Sequence, residues 1–226
     1  MIYTFWEGPK PAYIELCQET WGFDYVELNY SNLHQYTELP IDKLRLFTLP
    51  KVADCVRAHV LRDNGGQWLD ADTIMLSDQL PEETILGDPV SRTNSIGYLN
   101  ADQHPGFFRE WAEYQDKILA GCGNRNEWDI MGNRFTDLYL MMHREIPIGR
   151  IRNHLPETYM IKGDAKRWEK YVEFYFEQDQ HLSDLDPTPM IMLHNSWTPG
   201  WYKDLLNDEV LDFKVTLSNI LDELHR

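Results

Sequence analysis

The sequence predicts an α/β protein built on an open, mostly parallel sheet flanked by helices. Short apolar runs of strand length alternate along the chain with stretches of helical periodicity. The 226 residues suit one large domain or two small ones, at about 150 residues per domain, and are enough to bury a core without covalent staples. No internal repeat, low-complexity tract or Gly/Ser linker interrupts them, so a single domain over 1–226 is expected.

Met1 to Trp6 reads as a short buried strand ended by Gly8-Pro9, and Pro11 opens a helix with Ile14, Cys17 and Trp21 on one face and Gly22 as its stop. Tyr25 to Asn29 is a second strand, and 30–50 is loop-like. Lys51 to Asp63 is a helix, with Val52, Val56 and Val60 at i, i+4 and i+8 and Gly65-Gly66 past its end. Trp68-Leu69 and Thr73 to Leu76 read as strand on either side of Asp-Ala-Asp, and Ser95 to Leu99 is a further strand. Pro105 starts an amphipathic helix carrying Phe108, Trp111, Gln115 and Ile118-Leu119, closed by Gly121. A helix over 127–143 is expected to bury Trp128, Met131, Phe135, Leu138 and Met142. Arg167 to Gln178 is another helix, Pro189 to His194 a late buried strand, and 200–226 an acidic helical tail.

Hydrophobic residues make up 42% and charged residues 26%, which excludes a disordered or fibrous chain. The net charge is −16, from 21 Lys+Arg against 37 Asp+Glu, and weighs against nucleic acid or an anionic membrane as a partner of the whole surface. Three scattered cysteines, Cys17, Cys55 and Cys122, form no CxxC and read as thiols of a reducing compartment. The first residues lack a basic signal region, and no apolar run approaches the roughly 18 residues of a membrane span. A soluble, cytoplasmic protein is the expectation.

The sharpest feature is Asp70-Ala71-Asp72, which interrupts an apolar stretch from Trp68 to Leu76. Residues i and i+2 of an extended segment share a side, so both carboxylates can meet one hard cation, Mg²⁺ or Mn²⁺. Carboxylates within an apolar stretch are paired or bind metal, although such triplets also occur as solvated loop. Upstream, Asp54 and Arg57 share a helix face. They form either a simple i,i+3 ion pair or a site in which Arg57 offers a planar fork to phosphate or sugar.

These residues carry a family resemblance. Asp54-x-x-Arg57 followed by Gly65-Gly66-x-Trp68-Leu69-Asp70-Ala71-Asp72, with the opening Tyr3-Thr4-Phe5-Trp6-Glu7-Gly8, resembles the signature of the DXD-containing glycosyltransferases. These include the yeast-type mannosyltransferases (glycosyltransferase family 32), the bacterial capsular polysaccharide synthesis transferases and, more remotely, the clostridial glucosylating toxins. The resemblance covers 1–8 and 51–76, and more loosely 189–201. It implies a GT-A fold, with nucleotide-sugar and metal binding in 1–100 and the acceptor side in 101–226. It further implies a retaining hexosyltransferase that uses a UDP- or GDP-hexose and a saccharide or glycolipid acceptor. Trp6 would stack on the base beside Phe5, and Asp54 and Arg57 would contact the sugar. Asp70 would meet the ribose and, through water, the metal that Asp72 binds directly. His194-Asn195-Ser196-Trp197, within the element 190–201, looks like the part that completes the metal shell and covers the phosphates. His194 is the first choice of ligand, with Asn195 and Ser196 behind it; a strand-end turn with Trp197 in the core is the plainer reading.

Asn100 is a candidate for a sugar hydroxyl. Asp102 is a turn or N-cap residue or an acceptor contact. Asp129 and Asn133, one turn apart on the expected helix with Gly132 allowing close approach, are either helix surface or part of a polar acceptor wall. Residues 144–170 hold seven basic against four acidic side chains, a solvated face or a dock for an anionic acceptor. Glu173 to Asp186, with five acids and no Lys or Arg, reads as solvated. The rival functions are a transferase of the same fold acting on a protein or nucleobase, a nucleotide-sugar hydrolase, and a non-catalytic binding module.

Overall fold

The computed structural model of the chain describes residues 1–88, 93–121, 126–150 and 167–226. Its strands are β1 (Ile2–Phe5), β2 (Tyr25–Leu28), β3 (Gln67–Leu69), β4 (Thr73–Met75), β5 (Ile85–Asp88), β6 (Thr93–Asn100), β7 (Ile148–Arg150) and β8 (Met190–Met192). Its helices are α1 (Ala12–Glu19), α2 (Ile41–Leu44), α3 (Leu49–Asn64), α4 (Pro105–Leu119), α5 (Asn133–Met142), α6 (Arg167–Phe176), α7 (Gly200–Lys203), α8 (Asn207–Asp212) and α9 (Thr216–His225). The chain gathers into two compact units. One takes the described residues of 1–8, 24–70 and 81–151, the other those of 9–23, 71–80 and 152–226.

The first unit is the expected α/β architecture. Its six-stranded sheet runs in the order β2-β1-β3-β6-β5-β7, with β1–β2, β1–β3 and β5–β7 parallel and the two pairings of β6 antiparallel. α3, α4 and α5 supply Val52, Val56, Phe107, Phe108, Trp111 and Leu140 to a continuous apolar core that includes Tyr3, Phe5, Trp68 and Leu99 from the strands. α3 ends as its glycines dictate. Gly65 at φ +67° sends its N–H to the Leu61 carbonyl at 3.0 Å, and Gly66, at φ +80°, has the Met1 carbonyl where a side chain would begin. The Asp102 carboxylate accepts the Gly66 N–H at 3.1 Å, so the turn that delivers β3 beside β1 is held from both sides. β5 (Ile85-Leu86-Gly87-Asp88) and β7 (Ile148-Gly149-Arg150) escaped the sequence reading because each sets only one or two apolar residues beside a glycine, which strands disfavour.

The helix expected over 127–143 begins only at Asn133 and is phased differently. Trp128, Leu138 and Met142 are exposed, while Thr136, Tyr139 and Leu140 are buried. Polar pairing sets this phase. Thr136 donates its hydroxyl proton to Asn94 Oδ1 at 2.9 Å, and Asn94 donates to Asp137 at 2.6 Å, fixing α5 on β6. Asp129 therefore lies in the turns before the helix and does not share a helical face with Asn133.

The second unit pairs β4 with β8 antiparallel, Ile74 opposite Ile191, and carries α1 and α6 to α9. The late strand thus joins a separate two-stranded ribbon and not the six-stranded sheet. Cys17 and Cys55 are buried thiols whose pKa values burial raises; Cys122 and most of the basic stretch 144–170 lie outside the described residues. Among the described residues no helix is long and apolar enough to cross a membrane.

Candidate functional site

In the first unit, Arg57 stands between two carboxylates. Its Nη2 lies 3.2 Å from Asp54 Oδ1 and 3.1 Å from Asp70 Oδ1. Nε donates to the Ala53 carbonyl at 3.3 Å, and Nη1 donates to the Ile96 carbonyl. The guanidinium carbon lies over the Trp68 ring, 5.1 Å from its centroid, a cation–π arrangement. Trp68 in turn donates its indole N–H to Asp70 Oδ1 at 2.9 Å. Sequence proximity brings these groups together twice: Asp54 and Arg57 by helical spacing, Trp68 and Asp70 by position at the end of β3.

Exposure separates the three charges. The Asp54 and Arg57 side chains are 13% and 5% exposed, that of Asp70 33%. Asp70 is thus the carboxylate of this cluster that solvent reaches, and its Oδ1 takes both the Arg57 and the Trp68 contacts. Because Nε, Nη1 and Nη2 of Arg57 each have a protein acceptor, the expected fork toward a ligand is turned inward, and Arg57 organises the two aspartates. Burial pushes Asp54 up to about 6; Arg57 opposes this, and Asp70 adds to it. Gly132 closes on the same group. A Cβ there would lie 2.5 Å from Asp54 Oδ2 and 2.8 Å from Ile96 Cδ1, so the close approach expected of this glycine is to Asp54. The Ala53 and Ile96 carbonyls leave no signal in sequence, since any residue supplies a carbonyl.

In the second unit, Asp72 is buried and held by the chain after β8. Its carbonyl accepts the Leu193 N–H at 3.1 Å, and its Oδ2 accepts the Asn195 N–H at 2.7 Å. The Asn195 side chain accepts the Tyr13 hydroxyl proton at 2.6 Å. The Tyr171 hydroxyl accepts the His194 N–H at 3.1 Å, and the His194 and Trp197 rings stand 4.4 Å apart. Both tyrosines are fully buried; burial and, for Tyr13, the nearby Asp72 carboxylate raise their pKa values, so both hydroxyls stay protonated, Tyr13 as donor to Asn195 and Tyr171 as acceptor from His194. Ser196 is exposed. Asn195 therefore meets Asp72 through its backbone, a contact that residue type could not announce.

The Asp70-Ala71-Asp72 segment is where the chain passes from one unit to the other. Residues 71 and 72 form a turn between β3 and β4, so the same-side alternation of an extended strand does not describe this pair. Among the described residues, no three His, Cys, Asp or Glu side chains converge as a metal site. Phe5 is buried in β1 with its ring edge-on to Tyr30; Trp6 follows it, half-buried, its N–H on the Leu28 carbonyl at 2.9 Å. Asn100 is buried and accepts the Asp102 N–H at 3.1 Å while donating to the Glu82 carbonyl at 3.2 Å. Asn100 and Asp102 thus hold the turn before α4. Asp129 lies 3.8 Å from Arg134.

A buried guanidinium–carboxylate cluster at the carboxyl end of a strand in an open α/β sheet defines a protein with a polar site where such sheets collect ligands. The chain belongs to the capsular polysaccharide synthesis protein family, which matches residues 10–163. That span includes Asp54, Arg57, Asp70, Asp72, Asp102, Asp129 and Asn133. No curated protein and no solved structure matches the chain.

Proposed function

We propose that this member of the family is a glycosyltransferase that moves a hexose from a nucleotide diphosphate sugar to a hydroxyl of a saccharide or glycolipid acceptor, with retention of anomeric configuration. The observation that carries this reading is the Asp54–Arg57–Asp70 cluster. Two carboxylates and a guanidinium taken largely out of water are costly to keep, and the arrangement leaves Asp70 partly open to solvent beside an indole. Asp70 is the carboxylate that would accept a sugar or ribose hydroxyl, and Asp54, buried behind it with Arg57 between them, holds the guanidinium in place. Trp6 and Phe5 are the residues for the base, and Asn100, Ser196 and Trp197 the further donor contacts.

Mn²⁺ or Mg²⁺ fits the donor chemistry, since aspartate oxygens are the ligands such ions prefer. Asp70 and Asp72 would hold it, with His194, Asn195 or Ser196 completing the shell. When bound, it would supply Lewis-acid stabilisation to the leaving diphosphate. The Asn195 N–H fixes the Asp72 carboxylate, and Arg57 does the same for Asp70.

Thermal shift with UDP- and GDP-hexoses, each with and without MnCl₂, tests the reading. A donor at 100 times its Kd stabilises by about 2.7 kcal/mol, or roughly 5–10 °C for a chain of this size. We expect such a rise for one donor, dependent on the cation and lost in Asp72→Asn. No rise with any donor overturns the transferase reading, and a rise that survives in Asp72→Asn overturns the metal assignment. Hexose release that is indifferent to acceptor would instead mark a hydrolase.

A further inference from the structure

α4 carries a glutamine in the middle of its apolar stripe. Gln115 is fully buried, and its amide nitrogen makes two bonds that no neighbouring residue duplicates as a pair. One N–H goes to the Asp54 carbonyl of α3 at 2.8 Å, the other to the Met131 carbonyl at 2.6 Å. Its own Oε1 is buried without a hydrogen bond. An apolar side chain of the same length would fill this position and leave no acceptor unsatisfied. Filling the core therefore does not account for the amide; joining two carbonyls does.

Both carbonyls lead to one carboxylate. The first is the backbone of Asp54 itself. The second belongs to the residue before Gly132, whose Cα packs so closely on Asp54 Oδ2 and Ile96 that no side chain fits between them. The Met131 carbonyl also accepts the Trp111 indole N–H at 2.8 Å, but among the described residues Trp111 makes no bond to the α3 backbone, and of the two only Gln115 joins the segments. The geometry points to Gln115 as a positioning residue for Asp54: it spans from the α3 backbone to the 129–132 turn and thereby sets the slot in which the Asp54 carboxylate lies against Arg57.

Removing the amide orphans neither carbonyl. The Asp54 carbonyl lies within α3, where the helical ladder uses it, and Met131 keeps Trp111. Stability and site geometry should therefore part company in Gln115→Met. The variant is compared with the wild-type protein by melting temperature, by hydrogen exchange of the Gly132 amide, which bonds to the Asp129 carbonyl at 3.0 Å, and by the ¹³Cγ resonance of Asp54. We expect Tm within about 2 °C of wild type, since the change orphans no carbonyl. Gly132 exchange should be faster by about tenfold or more, as expected where local opening costs less, with a displaced Asp54 resonance. Trp111→Phe, which leaves Gln115 in place, should leave that resonance where it is.

The link to catalysis rests on the transferase reading, under which Gln115→Met lowers kcat by about tenfold with donor KM little changed, as for a group misplaced in the transition state alone. If wild-type protein transfers no hexose, that reading fails while the exchange and resonance measurements still decide the role of Gln115. Unchanged exchange at Gly132 together with an unmoved Asp54 resonance overturns the positioning role. So does a variant that fails to fold or exchanges faster throughout, since Gln115 would then serve the core as a whole.

Discussion

Asp54 is attracted by Arg57 at 3.2 Å, yet its pKa lies near 6 instead of below the usual carboxylate range. Burial outweighs the ion pair, and the negative charge of Asp70, held on the same guanidinium, adds to the rise. The consequence for stability has a definite sign. A carboxyl whose folded pKa exceeds its unfolded value binds more protons in the native state. Its contribution is therefore complete below about pH 4 and is lost as pH rises through about 6. The shift corresponds to roughly 3 kcal/mol at most, at 1.36 kcal/mol per unit. Asp54→Asn should gain on wild type by up to that amount between pH 4 and 7, read from urea midpoints; a difference flat with pH would place Asp54 in water. Gly132→Ala tests the opposite wall. A Cβ there would lie 2.5 Å from Asp54 Oδ2 and 2.8 Å from Ile96 Cδ1, so the substitution crowds both groups. We expect about 1–3 kcal/mol of destabilisation by the same measurement.

At the scale of elements, legibility followed the kind of force that positions each one. α3 and α4 could be read because their buried faces are apolar and their ends are marked by Pro50, Gly65, Pro105 and Gly121. α5 could not, because the Thr136 hydroxyl and the Asp137 carboxylate, both bonded to the Asn94 amide, outrank its apolar residues in choosing the inward face. Hydrophobic periodicity is blind to such pairs. The Asp54–Arg57 pair was visible as helical spacing and Gly132 as a close approach, whereas the carbonyls that complete the cluster and the backbone N–H on Asp72 carry no residue signature. A test of phase follows for α5. Met142→Lys, at an exposed position, should change stability by less than about 0.5 kcal/mol. Leu140→Ala, fully buried, should cost about 2–5 kcal/mol. Comparable losses in both would restore the apolar stripe predicted from sequence.

On the scale of the whole molecule, the net charge of −16 opposes the approach of a nucleotide diphosphate. Repulsion between like charges reaches about 30 Å at 0.01 M salt and about 10 Å at 0.1 M, so it acts on encounter before any contact forms. In the cluster itself Arg57 is turned toward its own aspartates and offers little to offset this. The proposed donor therefore needs a cation to make its encounter favourable, and the salt dependence of binding reveals whether it has one. Without divalent metal, the association rate of a UDP- or GDP-hexose should rise as NaCl screens the protein's field, by severalfold between 0.01 and 0.1 M. With saturating Mn²⁺ the donor arrives with its charge partly neutralised, and the rate should be higher at low salt and less dependent on it. Stopped-flow tryptophan fluorescence follows both conditions, with Trp6 as the expected reporter. A metal-free rate that falls with salt would mean that the ligand meets a locally positive surface, and the acidic character of the chain would then lie away from its path of entry.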